Sequence, residues 1–303
     1  MFIRFIMFII RLLPHSIALS FGRSVGRLLR IILWKKTDRC ESRCVMSLGV
    51  GITIARGIIR NAYINLGMSI IEFIRLPIMK PRIKDYVKFS PESVKRLHDA
   101  ISQGKGVIVM DTHMGNWEIC AVRVAAEGFE VCPIVTPQRN DAGVNDIINE
   151  LRSLTPEVRT IDSEKGLRET FKTLKSGGVV VVMQDLDARK DGIIMNFLGM
   201  PASTHDGIVK LYRKFKCPVI PARFIRDKDN PSHHEVRVYE DISTRHDRNG
   251  NAFGEDMQGS LEICNDVIES WIRERPELWF WLMDKWEYVF RLKAKKKTEK
   301  NVN

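Results

Sequence analysis

A histidine and a glutamate follow directly after an apolar run, at a spacing that suits proton transfer. The run at 107–110 reads Val-Ile-Val-Met, which is typical of a buried strand, and His113 and Glu118 come soon after its end. A neutral imidazole can take a proton from a hydroxyl, and a carboxylate on its other ring nitrogen can orient it. We therefore predict that His113 and Glu118 form a general base that activates a hydroxyl group for acyl transfer.

The spacing of these two residues predicts a break in the chain between them. Positions five apart lie on different faces of a continuous helix, so their side chains cannot lie side by side on one. Gly115 permits a sharp turn and Asn116 is a favoured N-cap, which would place Glu118 in the first turn of the next helix. There the positive end of the helix dipole favours an ionised carboxylate. We expect Glu118 to accept a hydrogen bond from the Nδ1–H group of His113, which leaves Nε2 free.

Four further blocks follow this segment in a characteristic order. They are Gln184–Asp187, Asn196–Thr204, Lys216–Arg223 and Arg275–Leu282. Together with His-x4-Glu, these blocks resemble the late acyltransferases of lipid A biosynthesis, which transfer lauroyl or myristoyl groups to a Kdo-lipid A precursor. His-x4-Glu alone is a weak signal, whereas the ordered set spans most of the chain.

The resemblance implies an activity, partners and further site residues. The family moves a fatty acyl chain from acyl carrier protein to a glycolipid hydroxyl at the cytoplasmic face of the bacterial inner membrane, and no metal or organic cofactor is implied. Asp185 is implied to be needed for activity, where its carboxylate could orient an acceptor hydroxyl or a cationic side chain. The family's essential arginine matches Arg152 best, with Arg139 as a rival, and Arg152 could bind a phosphate or the carrier arm. Asn116 is expected to bind substrate, its backbone amide and that of Gly115 being candidate donors to the reaction's oxyanion.

One block departs from the family pattern and keeps the acceptor open. Members that act on lipid A usually read Trp-Leu-His-Arg-Arg-Trp, whereas residues 281–286 read Trp-Leu-Met-Asp-Lys-Trp. We expect this block to meet the anionic acceptor. Two other interpretations are a lysophospholipid acyltransferase, which would use His-x4-Asp, and a catalytically silent membrane scaffold of the same fold. Glu118 disfavours the first, and retention of His113, Glu118 and Asp185 disfavours the second.

Strands and helices alternate through the middle of the chain. Strands are predicted at 107–110, 131–135, 179–183, 219–224 and 234–239, and helices at 52–76, 91–103, 116–127, 141–154, 165–174, 203–215 and 253–274. The alternation predicts an α/β fold with a mixed, mostly parallel sheet covered by helices on both faces. Sites in such sheets lie beyond the carboxyl ends of strands. The end of the strand before Asp185 should therefore approach the end of the strand before His113.

The N-terminal segment is predicted to be a hydrophobic helical membrane anchor at 1–35, followed by an acyltransferase domain at 36–290 and a basic, disordered tail at 291–303. Arg4 and Arg11 share one helical stripe, and Arg11 and Pro14 interrupt the apolar run. A helix lying in the interface of an anionic leaflet is therefore favoured over a short tilted span. A cleaved signal is a third option, which Arg11 disfavours.

The composition narrows the choice of partners. The net charge of +11 suggests an acidic partner such as a carrier protein, a phosphorylated substrate or an anionic membrane surface. Motifs typical of nucleic-acid binding do not occur in the sequence, which disfavours that class. The six cysteines are scattered and are predicted to be reduced thiols. His233 and His234 follow Pro231 and are expected in an exposed loop.

Overall fold

A seven-stranded sheet organises the protein, seen here in a computed structural model that describes residues 2–136 and 142–302. The strand order is β1-β9-β8-β2-β5-β3-β4, and a separate hairpin pairs β6 with β7. All neighbours in the sheet are parallel except β8 and β9, so β9 and β1 run opposite to the other five strands. The predicted mixed, mostly parallel sheet is confirmed. The strands are β1 Val87–Phe89, β2 Val107–Asp111, β3 Val131–Val135, β4 Ile161–Asp162, β5 Val179–Met183, β6 Ile193–Phe197, β7 Met200–Thr204, β8 Val219–Arg226 and β9 His234–Val238.

Helices cover both faces of the sheet. Along β2, Val107 and Val109 belong to one apolar core, while Ile108 and Met110 belong to the core on the opposite face. This explains why the strand is an unbroken apolar run, since both faces of a central parallel strand are buried. The helices are α1 Phe2–Leu12, α2 His15–Ile32, α3 Trp34–Leu48, α4 Ile52–Ile74, α5 Leu76–Met79, α6 Ile83–Tyr86, α7 Pro91–Ser102, α8 Trp117–Ala125, α9 Ala142–Ser153, α10 Leu167–Lys175, α11 Gly207–Phe215, α12 Met257–Glu274 and α13 Glu287–Val302.

The helix predicted at 203–215 is wrong at its start. Ser203 and Thr204 belong to β7, which pairs antiparallel with β6, and α11 begins only at Gly207. Leu198 and Gly199 join the two strands with positive φ angles of 51° and 80°. Two successive left-handed residues match the twist of a tight hairpin. The sequence prediction missed the hairpin because leucine is an unusual residue at the first of these positions.

The N-terminal helices α1 and α2 are separated at Pro14 and are held against α4. The Arg75 guanidinium donates to the carbonyl of Leu13 at 2.7 Å, and Arg11 Nε donates back to the carbonyl of Ile74 at 2.9 Å. Arg11 therefore lies against the protein and does not extend towards a membrane surface. Further along, a Cβ on Gly26 would lie 2.2 Å from the Tyr63 carbonyl oxygen, so α2 and α4 pack backbone to backbone.

The outer face of α1 and α2 is apolar and exposed. Large side chains there include Phe5 at 62% exposure and Phe8 at 55%. Others with the same character are Ile3, Ile9, Leu12, Ile17, Phe21, Leu28, Ile31 and Ile32. Within 2–136 and 142–302, each helix taken alone is too short or too polar to cross a membrane, while Ile52–Ile74 and Leu76–Tyr86 together could do so by length and composition, with a bend of 69°.

The C-terminal segment at 291–302 continues α13. It lies where the sequence predicts a disordered basic tail, and Asn303 lies outside the described residues. Disorder of this segment in solution stays a prediction.

Candidate active site

The carboxyl ends of β2 and β5 bring His113 and Asp185 together. Asp111 at the end of β2 is paired with Met183 at the end of β5, and each site residue lies two positions further on. Asp185 Oδ1 lies 2.9 Å from His113 Nδ1, and Asp185 Oδ2 accepts the His113 backbone N–H at 2.9 Å. The predicted approach of the two strand ends is confirmed. One carboxylate thus fixes both the ring and the backbone of the histidine.

Asp185 is buried and ionised. Burial raises the pKa of its carboxyl, but the His113 ring and the hydrogen bonds of His113 and Trp279 outweigh this and lower the pKa overall. The Trp279 indole Nε1–H donates to Asp185 Oδ2 at 2.8 Å. Because an ionised carboxylate only accepts hydrogen bonds, His113 Nδ1 carries the hydrogen. The other ring nitrogen is Nε2, for which no partner occurs among the described residues.

The predicted hydrogen bond between Glu118 and His113 is wrong. Glu118 lies in the first turn of α8 as expected, but its carboxylate is bound bidentately by the guanidinium of Arg152 on α9. Arg152 Nε donates to Glu118 Oε2 at 3.1 Å. The reason is the order of strands in the sheet: β5 lies next to β2, and its end places the Asp185 carboxylate on His113 Nδ1. Arg139, the alternative arginine, lies outside the described residues.

The pair of Glu118 and Arg152 lies partly exposed, at 19% and 28% of side-chain area. Burial lowers the pKa of Arg152, but hydrogen bonding and attraction from Glu118 raise it overall. The guanidinium is therefore a permanent positive charge beside the start of α8. An anionic group could bind only those N–H groups of the guanidinium that do not already donate to Glu118.

Gly115 makes the turn that carries His113. Its φ is +63°, and a Cβ there would lie 2.4 Å from the Phe224 carbonyl oxygen. The loop pairs with the block near the C-terminus: the Gly115 N–H donates to the Leu278 carbonyl at 3.0 Å, and the Phe280 N–H donates to the His113 carbonyl at 3.0 Å. The sharp turn is confirmed. The Gly115 amide, however, is already committed to Leu278, so it is not an oxyanion donor.

Asn116 caps α8 with its side chain, which is buried. Its Oδ1 accepts from the Ile119 N–H at 3.4 Å, and its Nδ2 donates to Glu72 Oε2 at 2.8 Å. The residue is 2% exposed. The predicted N-cap is confirmed, and both ends of the side-chain amide are used inside the protein, so substrate binding by Asn116 stays a prediction for its backbone amide alone.

Aromatic side chains surround the histidine ring. The Trp117 ring meets His113 edge-on at 5.1 Å between centroids, and Phe280 lies 6.0 Å from Trp117. The His113 side chain keeps 16% of its surface exposed. The exposed part of the His113 ring therefore lies next to an aromatic side chain, Trp117, which is compatible with a substrate that carries a hydrocarbon chain.

The block at 281–286 has a structural role that the sequence did not predict. Lys285 is buried, and its Nζ donates to the carbonyls of Leu186 at 2.6 Å and Ser203 at 2.9 Å. Asp284 Oδ1 accepts from Arg43 Nε at 3.2 Å. The expectation that Lys285 meets an anionic acceptor is wrong, since its amine holds the loop that carries Asp185.

Several other residues near the site were missed from the sequence. Trp279 packs in the core, and its indole also binds Asp185. His234 was expected in an exposed loop, yet it is buried and contacts Glu72 at 3.0 Å. One signal could have found Glu72: it is the single acidic residue in the largely apolar helix α4, and such a residue needs a buried partner.

The remaining polar residues do not suggest a metal centre. In the part of the chain that the structure describes, no group of three or more histidine, cysteine, aspartate or glutamate side chains could hold a metal ion. All six cysteines are buried and free, as predicted for reduced thiols.

The chain matches the model of a known family. Residues 1–288 match the model of the bacterial lipid A biosynthesis acyltransferases, and the chain belongs to this family. A curated relative, a lipid A biosynthesis acyltransferase of Haemophilus influenzae, is 19% identical over 194 residues, which are 63% of this chain. The aligned stretch covers 56% of that relative's length, a little over half.

Proposed function

We propose that this protein is a membrane-associated acyltransferase that moves a fatty acyl chain from the thioester of acyl carrier protein to a hydroxyl of a glycolipid, a lipid A precursor. One observation carries the proposal: the buried, ionised Asp185 accepts from His113 Nδ1–H, which leaves Nε2 of the partly exposed ring as the nitrogen that can take a proton. This is the arrangement that a general base for a hydroxyl nucleophile requires.

The proposed reaction proceeds in a ternary complex. His113 Nε2 takes the proton of the acceptor hydroxyl, and the acceptor oxygen forms a bond to the thioester carbonyl carbon. Asp185 stabilises the imidazolium that results, because its carboxylate accepts from Nδ1–H. The tetrahedral intermediate then collapses, the carbon–sulfur bond breaks, and the imidazolium returns its proton to the leaving thiolate. The products are the acylated glycolipid and free carrier thiol.

Glu118 and Arg152 are proposed to stabilise negative charge on the substrate and the oxyanion, and not to orient His113. The bidentate contact fixes the guanidinium beside the start of α8. Its positive charge and the positive end of the helix dipole would favour an anionic substrate group and the developing oxyanion. The backbone amide of Asn116 remains a proposed oxyanion donor. Gly115 is excluded, because its amide binds Leu278.

The exposed apolar face of α1 and α2 supports membrane association. Side chains such as Phe5, Phe8 and Leu12 form a larger apolar surface than a protein in water usually leaves uncovered. We propose that this face lies in the cytoplasmic leaflet of the bacterial inner membrane. The net charge of +11 would attract both the anionic leaflet and an acidic carrier protein.

Acyl transfer from labelled acyl carrier protein tests the proposal. Membranes carrying the wild type, His113→Ala, Asp185→Asn or the exposed control His98→Ala would be given a tetra-acylated Kdo-lipid A precursor, a total glycolipid extract or lysophosphatidate. Transfer to the precursor that is lost only in the first two variants supports the proposal. Transfer only to the extract keeps the reaction with another glycolipid, and transfer only to lysophosphatidate supports the lysophospholipid alternative. Absence of transfer, where a known enzyme works, supports a silent scaffold.

A further inference from the structure

A buried ionic network adjoins the end of the His113 loop at Asn116. Glu72 of α4 is fully buried, and its carboxylate binds Arg226 of β8 through two contacts of 2.8 and 2.7 Å. His234 Nε2 lies 3.0 Å from Glu72 Oε1, and Asn116 Nδ2 donates to Glu72 Oε2 at 2.8 Å. Burial raises the pKa of Glu72, but Arg226 and His234 outweigh this and lower it overall. The carboxylate is therefore a fixed, ionised acceptor.

The network reaches the site through one residue. Asn116 follows the Gly115 turn and caps α8, so its position sets where the His113 loop ends and where the helix bearing Glu118 begins. A cap on Ile119 alone would be satisfied by several short polar side chains. The additional bond from Asn116 to Glu72 ties this junction to α4 and β8.

We infer that Glu72 is a positioning residue for acyl transfer: through Asn116 it fixes the junction between the His113 loop and α8. This inference rests on the proposed function for its kinetic consequence. Arg226 and His234 hold the Glu72 carboxylate in place. Glu72, Arg226 and His234 are buried, so the expected effect of loosening the junction falls on kcat and leaves KM for the acceptor nearly unchanged.

The first test separates the link to Glu72 from the helix cap. Asn116→Ser keeps a favoured N-cap but is too short to reach Glu72. We expect kcat to fall about 10- to 100-fold, because a small displacement of a catalytic group has an effect of this size. A purely structural cap predicts wild-type kcat. The matched control is Glu274→Gln, which removes the negative charge from a contact of 2.9 Å to the buried Arg223 on the same strand β8 and should leave kcat unchanged.

The second test exchanges the two partners. Glu72→Gln places an amide donor against the Asn116 amide, and Asn116→Asp places a carboxylate against Glu72, so each single change should lower kcat. The double variant Glu72→Gln/Asn116→Asp restores one donor and one acceptor and still caps α8, so it should recover kcat to within about threefold. If the double variant has a kcat no higher than that of the less active single variant, at equal thermal stability, the inference is overturned.

Hydrogen exchange supplies a readout that does not depend on activity. In the full-length protein in detergent, Asn116→Ser should speed exchange of amides at 113–120 at least about tenfold, while amides at 107–110 and the Glu274→Gln variant stay as in the wild type. Unchanged exchange at 113–120 contradicts the positioning role even if acyl transfer is never detected. An inactive wild type with faster exchange in Asn116→Ser would instead count against the proposed reaction alone.

Discussion

Asp185 binds His113 twice, through the ring Nδ1 and through the backbone N–H, each at 2.9 Å. A single carboxylate therefore sets both the tautomer of the base and the path of its loop. The third contact, from the Trp279 indole at 2.8 Å, prevents the carboxylate from turning away. The histidine is held by the end of the neighbouring strand and not by the helix that follows it.

Asp185→Asn should lower kcat by about 10³-fold or more with little change in KM. The amide cannot enforce the same tautomer, and it stabilises the imidazolium much less than a carboxylate. Steady-state acyl transfer with varied acceptor would measure both constants. Asp187→Asn is the control, because Asp187 accepts from the backbone amides of Arg189 and Tyr288 and has no contact with His113. Equal losses in the two variants would contradict a specific role for Asp185.

Glu118→Gln and Arg152→Gln should each lower kcat/KM about tenfold. The double variant should have a kcat/KM no lower than that of the less active single variant. Residues that act as one unit show such non-additive losses. The comparison is the bidentate pair of Glu235 and Arg237 on β9, which is also partly exposed and lies apart from the His113 loop. Glu235→Gln and Arg237→Gln should leave kcat/KM unchanged. Additive losses at Glu118 and Arg152 would show that the two residues act separately.

Gly115→Ala should abolish most of the activity and lower thermal stability. The new Cβ would lie 2.4 Å from the Phe224 carbonyl oxygen, and the φ of +63° is itself unfavourable for alanine. Gly104→Ala separates these two causes, since Gly104 has a φ of +68° but no atom within 4 Å of its added Cβ. We expect it to lose only about 1 kcal/mol of stability and to keep full activity. Thermal melts beside acyl-transfer assays would test this; an active Gly115→Ala enzyme would contradict it.

Phe5→Ser/Phe8→Ser should weaken binding to vesicles that contain anionic lipid by at least about tenfold, because two large apolar side chains no longer enter the interface. Co-sedimentation with vesicles would measure the change. Ile194→Ser and Leu167→Ser are the controls, since these side chains are 52% and 62% exposed but lie outside α1 and α2. If all of these variants bind equally well, the face of α1 and α2 is not the membrane contact.

Lys285 should make the free energy of unfolding depend on pH in the alkaline range. Burial lowers its pKa from 10.5 to about 8 in the folded protein. Between these values the unfolded chain binds more protons than the folded one, so stability gained through this group rises as pH increases, by up to about 1.4 kcal/mol per pH unit. Unfolding free energies from pH 7 to 10 should show the wild type gaining relative to Lys285→Met. Lys88→Met, at an exposed position, should show no such trend, and a flat difference for Lys285→Met would contradict the prediction.

The sequence by itself determined the family, the alternation of strands and helices, and the position of His113 just after a central strand. His113 follows an unbroken apolar run, and the Gly115 turn and the Asn116 cap are local features whose chemistry is readable from residue types. Such features depend on residues close together in the chain. One prediction from a local pattern was wrong. At Ser203 and Thr204, the hairpin of β6 and β7 replaces the start of a predicted helix.

Only the tertiary structure decided which carboxylate meets the histidine. Glu118 is five residues from His113 and Asp185 is seventy-two away, yet the pairing of β2 with β5 places Asp185 on the ring and leaves Glu118 to Arg152. The contact between Asn116 and Glu72 likewise joins residues forty-four positions apart. Contacts of this kind depend on strand order and on how helices pack across the sheet, which no short stretch of sequence contains.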